Sequence, residues 1–135
     1  MAFVLDASVV LAWLLPDEHS EAAQSIMGRL LLERAQAPAL IHYDVGNALL
    51  QAARRKRIPE ALVAEMLELF LELPIALQSP DAASTAASSE ISRRHGLTHY
   101  DASYVELASR HRVRLATLDE ALRRAARAEG AEILS

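Results

Sequence analysis

At 135 residues, with 52% hydrophobic side chains, the chain has the size of one domain and enough apolar material for one continuous core, so residues 1–135 are expected to form a single unit. It contains no cysteine, which excludes a disulfide framework, a thiolate zinc site and a cysteine nucleophile. A formal net charge of −4 excludes a broad basic surface that would bind nucleic acid chiefly through charge, and confines any RNA contact to local patches.

The first apolar run, Phe3 to Leu5, is short and β-prone and stops at Asp6; Val9, Val10, Trp13 and Leu14 then fit a brief helix ended by Pro16. Asp6, Pro16 and Asp17 interrupt this opening before it reaches membrane-spanning length, and no basic leader precedes it, so a cytoplasmic protein without membrane segments is expected. From Glu18 to about Arg34 apolar residues recur at helical spacing, and Ala37 to Leu40 reads as a second strand, with Pro38 marking its start or a sheet edge. His42 to Arg57 reads as a helix facing the core through Val45, Ala48, Leu49 and Ala52, with a basic end that suits the helix dipole.

Pro59 opens a helix to about Leu73, whose stripe of Leu62, Met66, Leu69, Phe70 and Leu73 suits a core or a dimer seam. Pro74 to Leu77 is the candidate third strand. Asp81 to His95 is a helix closed by Gly96, Thr98 to Arg112 a further helix, and Val113 to Ala116 the fourth strand. The alanine-rich stretch from Asp119 to Glu129 is helical with Gly130 as its cap, and Ala131 to Leu134 adds a short edge strand. Short apolar runs alternating with helical segments predict an α/β fold: a three-layer α/β/α sandwich around a short, mostly parallel sheet.

Four acids stand out against that scaffold. Asp6 closes the first strand, Asp44 follows the second by one turn, Asp101 lies in the first turn of its helix, and Asp119 follows the fourth strand. In open parallel sheets ligands bind beyond the carboxyl ends of the strands, so these acids can converge there. Converging carboxylates repel and raise one another's pKa values, and a divalent cation with oxygen ligands relieves the repulsion, which implies Mg²⁺, with Mn²⁺ as a substitute. Helix capping is the competing explanation: Asp6 precedes a helix, and Thr98 with Asp101 and Thr117 with Glu120 have capping-box spacing. Asp44 fits capping less well, and Asn47 shares its helix face.

With these residues assembled, the chain resembles the PIN-domain family, and within it the VapC toxins of toxin–antitoxin pairs, along essentially its whole length. FVLDASVVLAWL is similar to the family's first strand and acid, HYDVGNALL to its second acidic helix, LTHYDASYVELA to its third-acid motif and LATLDEAL to its closing segment. The family usually places glutamate where this chain has Asp44, an arm longer by about 1.5 Å. The resemblance implies a PIN-like sandwich, a homodimer, metal-dependent endoribonuclease activity and inhibition by a small antitoxin. On that reading Asp6, Asp44, Asp101 and Asp119 are catalytic and hold the metal, while Ser8, Asn47 and Thr117 orient them.

RNA contact is expected from Arg54 to Arg57, from Arg93 and Arg94, or from Arg110, Arg112 and Arg114, and base stacking is expected to be a minor resource because aromatics are few. His42, His99 and His111 read as structural or surface residues. Two rivals remain. An aspartyl-phosphate enzyme lacks support, because Ser8 stands where a second acid belongs and Lys56 is the only lysine. A catalytically impaired PIN-fold module that binds RNA or protein is the stronger alternative.

Overall fold

The structure, a computed structural model, describes residues 1–134. Four parallel strands, β1 (Ala2–Leu5), β2 (Arg34–Pro38), β3 (Ile75–Gln78) and β4 (Arg114–Ala116), form one sheet in the order β3-β2-β1-β4. Phe3 to Leu5 pair with Arg114 to Ala116 on one side, and Ala2 to Val4 pair with Arg34 to Gln36 on the other. Strand order therefore reverses at β1, and the β1/β4 boundary is the switch point at which such sheets open a crevice. The expected α/β sandwich is present, with every pairing parallel.

Among the described residues, seven α-helices flank the sheet: α1 (Ala7–Leu14), α2 (Glu21–Gly28), α3 (Ile41–Arg54), α4 (Leu62–Leu71), α5 (Ala82–His95), α6 (His99–His111) and α7 (Glu120–Ala128). Parallel strands buried on both faces must be apolar throughout, and Phe3, Val4, Leu5 and Leu115 are fully buried. α6 is central to the core, burying Ala102, Tyr104, Val105, Leu107 and Ala108. Its start is set by Thr98, whose Oγ1 accepts from the Asp101 backbone N–H at 3.0 Å, and the turn before it by Gly96 at φ 66°, a left-handed position that favours glycine.

Several boundaries differ from expectation, each for a local reason. The helical stretch after Glu18 ends at Gly28, a 3₁₀ turn covers Arg29–Leu31, and β2 begins at Arg34, because Leu31 and Leu32 face solvent instead of continuing an apolar stripe. Pro38 closes β2 and that strand is interior, so the edge reading of the proline is wrong; its missing donor is harmless where pairing ends, and Ala39 N donates to the Gln78 carbonyl just beyond it. Ala131 to Leu134 contributes a single parallel bridge, Ile133 to Leu115, in place of a full strand. In α4, Met66 and Phe70 are buried while Leu69 is half exposed, and His42 meets the Phe70 ring edge-on at 5.4 Å.

Leu5 is fully buried beside Asp6, so Leu5→Ala leaves a void under the crevice. A loss of about 2–5 kcal/mol is expected, read as a lower urea midpoint with unchanged slope.

Candidate functional site

The acids that end β1 and follow β4, and those in the first turns of α3 and α6, line one cleft at the carboxyl ends of the strands. Asp6, Ser8, Leu11, Asp44, Asp101, Asp119 and Leu122 face it. The chain is brought there by the strand register. Asp6 N donates to the Ala116 carbonyl at 3.0 Å, which extends the β1/β4 ladder by one bond and fixes where the Asp6 side chain leaves the sheet.

Asp6 precedes α1, yet its side chain makes no capping bond. Its Oδ2 instead accepts from Ser8 Oγ at 2.6 Å and Thr117 Oγ1 at 2.7 Å. Ser8 Oγ also accepts from Leu118 N, and Thr117 Oγ1 from Asp119 N, each at 3.0 Å, so both hydroxyls have their protons directed at Asp6. The carboxyl is buried, and burial pushes its pKa up to about 6; the two hydroxyl donors oppose that shift, and the charge of Asp101 adds to it.

Asp44 is half-buried, and its Oδ2 accepts from Tyr104 Oη at 2.7 Å. Desolvation raises its pKa while the phenol restrains the rise. Tyr104 is fully buried, and desolvation together with the surrounding carboxylates pushes its own pKa up, so it stays a protonated donor at any working pH. Sequence reasoning had not assigned Tyr104 a role at the site. The available signal was a buried tyrosine three residues after Asp101, whose hydroxyl needs a polar partner.

The Asp101 pKa is raised by desolvation, then by the charges of Asp119 and Asp44. Beside the Asp101 carboxylate stands the Thr98 hydroxyl, which opposes that rise. Thr98 caps α6 by accepting from Asp101 N, and the Asp101 carboxylate lines the cleft. For Asp119 the capping explanation does hold: its Oδ1 accepts from Leu122 N at 3.1 Å at the start of α7, and the expected Thr117–Glu120 box does not form because Asp119 occupies the N-cap position and the Thr117 oxygen accepts from Asp119 N. Asn47 is exposed and lies outside the cleft lining, since three residues on from Asp44 the helix already faces solvent.

Among the described residues, none of the four acids forms an ion pair with lysine, arginine or histidine. The arginines of the expected patches are largely engaged elsewhere: Arg57 with Asp17 and Glu18, Arg94 with Glu129, Arg110 with Glu106, and Arg114 with Glu33. Nor, among the described residues, are three acidic or histidine side chains gathered closely enough to enclose a metal by themselves. The donor set nevertheless fits a hard cation, because each acid keeps an oxygen to which no described side chain donates, and Mg²⁺ is ordinarily held by one or two carboxylates with waters completing its shell.

The folded state holds the Asp6 proton more tightly than the unfolded chain does. Its contribution to stability is therefore full below about pH 4 and is lost as pH rises through about 6, at a cost on the order of 3 kcal/mol. Asp6→Asn is accordingly expected to raise the melting temperature at pH 7 and to have little effect at pH 4, by calorimetry without divalent cations. Tyr104→Phe should destabilise the fold by about 1–3 kcal/mol and raise the Asp44 pKa further, visible as a carboxyl resonance titrating at higher pH.

The PIN domain family matches residues 3–128. Ribonuclease VapC3 of Pyrobaculum aerophilum is 34% identical over 123 residues, 90% of this chain and 92% of that protein. Among solved structures, PAE2754 from Pyrobaculum aerophilum superposes with a TM-score of 0.72 at 26% identity, covering 98% of this chain and 83% of that one. VapBC2 from Rickettsia felis, bound to a DNA fragment from its promoter, superposes at 0.70 with 13% identity, covering 100% and 98%. With its strand order, its acidic cleft and these matches in agreement, the chain belongs to the PIN-domain family and is of the VapC type.

Proposed function

We propose that this chain is a metal-dependent endoribonuclease, the toxin of a toxin–antitoxin pair, with Asp6, Asp44, Asp101 and Asp119 as the residues that hold Mg²⁺, or Mn²⁺ in its place. The observation that carries the reading is the gathering of four carboxylates from four separate segments around one cleft with no protein cation among the described residues to neutralise them. Such a cluster is costly on its own and becomes favourable when a divalent ion enters. When bound, the ion supplies a water of lowered pKa and offsets charge on the phosphate.

The chain's own residues do the positioning. Ser8 and Thr117 hold one Asp6 oxygen so that the other faces the cleft, Tyr104 does the same for Asp44, and the cap at Leu122 holds Asp119. Asp101, close enough to Asp44 and Asp119 to feel their charge, would hold the ion with them and could accept a proton from an attacking water. Asp44, with its shorter arm tied to Tyr104, would hold the ion directly or through water. Residues 1–135 act as one domain on this reading, in the cytoplasm and as a homodimer, and the partner is a small antitoxin. The resemblance to VapBC2 supports the last point. Among the described residues, no helix is long and apolar enough to cross a membrane.

Purified, partner-free protein should cleave structured cellular RNA at discrete positions with Mg²⁺ or Mn²⁺. Cleavage should vanish with a chelator and fall by at least about a hundredfold in Asp101→Asn. Equal behaviour of wild type and variant on several RNAs, with metal still bound, would favour the binding module that has lost turnover.

A further inference from the structure

Beside the acidic cleft lies a second, larger cavity of about 340 Å³ whose lining includes Tyr43, Ser88, Tyr100, Glu106, Leu107 and Arg110. Its volume falls at the lower end of the range of small-molecule sites, roughly 300–1,000 Å³. Tyr43 immediately precedes Asp44 in the first turn of α3, and Tyr100 immediately precedes Asp101 in the first turn of α6. Consecutive helical residues point about 100° apart, so each of these helix starts turns an acid into the cleft and a tyrosine into the neighbouring cavity. The same two backbone segments thus form the partition between the two spaces.

Both rings are exposed, Tyr43 at 80% and Tyr100 at 64% of its surface, in a chain with only three tyrosines. The third, Tyr104, is the buried donor to Asp44. Beyond the rings, Leu107 gives an apolar floor, while the buried Ser88 and the Glu106–Arg110 pair, at 2.8 Å, supply both acceptors and donors. Flat exposed aromatic faces over a floor with polar edges suit a planar heterocycle better than an aliphatic side chain.

We infer that this cavity binds an unpaired nucleobase of the RNA strand whose phosphate occupies the acidic cleft, with Tyr43 and Tyr100 as stacking surfaces and Glu106 and Arg110 meeting the base edge. The inference rests on the ribonuclease reading above and adds to it a specificity pocket. It also gives the strand a source of affinity that does not depend on basic charge, which suits a cleft with no basic side chain in its lining among the described residues.

The test is binding of a labelled unstructured RNA of about ten nucleotides, against an abasic ribose-phosphate chain of equal length, to protein carrying Asp101→Asn so that RNA is not consumed. The base-containing strand should bind roughly five- to a hundredfold more tightly. Tyr43→Ala with Tyr100→Ala should abolish that preference while leaving the abasic chain's affinity unchanged, and Trp at both positions should retain it. Because both rings are exposed, folding should survive, and matching melting curves check that. An unchanged preference in the double alanine variant overturns the inference, as does a change in its sedimentation from dimer to monomer, which would make the cavity a contact between copies. If the double alanine variant in an otherwise wild-type chain cleaves RNA while the preference persists, only the base pocket falls. If wild type neither cleaves nor binds RNA, the ribonuclease reading falls and takes the pocket with it.

Discussion

The site depends on one carboxylate oxygen. Asp6 Oδ2 receives both the hydroxyl of Ser8, from the helix that follows β1, and that of Thr117, from the end of β4. This three-way contact spans 111 residues of sequence and closes the switch point of the sheet from above. It keeps a buried carboxyl in place although burial alone favours its neutral form. Asp119, whose N–H donates to that same Thr117 oxygen, caps α7 and lines the cleft beside Leu122.

The electrostatics follow from the same arrangement. Elsewhere on the molecule charges are settled locally: Arg57 bridges Asp17 and Glu18, and Glu129 gathers Arg94 and His95. Such surface pairs contribute little stability, and among the described residues no basic side chain lines the cleft. The four acids therefore keep an unneutralised field at the one place where the backbone topology gathers them. Their raised pKa values at Asp6, Asp44 and Asp101 express the resulting tension between burial, repulsion and fixed hydrogen bonds. Folding tolerates this tension because the rest of the core, from Phe3 to Leu122, is apolar and closely buried.

Much of this was legible in the sequence, and the exceptions have physical reasons. Alternation of short apolar runs with helical periods predicted the parallel sheet, and the position of each acid after a strand or in a first helical turn predicted a common cleft. The 3₁₀ turn at Arg29–Leu31 was missed because leucine reads as helical even where it faces solvent. Pro38 reads as a strand start or an edge because its rule concerns a missing donor, but it ends an interior strand, where the rule relaxes as pairing stops. Capping could not be settled residue by residue: Asp6 and Asp119 precede helices in the same way, but only Asp119 caps, and the difference lies in a threonine that belongs to another strand. The Tyr104–Asp44 bond joins positions 60 residues apart and has no local signature.

The long span of the Asp6–Thr117 contact also bears on biosynthesis. A nascent chain that has emerged only as far as α6 holds three of the four acids but lacks β4, so the crevice has one missing wall and Asp6 lacks one of its two hydroxyl donors. The cleft can form only after β4 and the start of α7 have cleared the ribosome and threaded β4 beside β1. A chain with this topology therefore assembles its four-acid cleft late, once β4 has emerged and paired with β1.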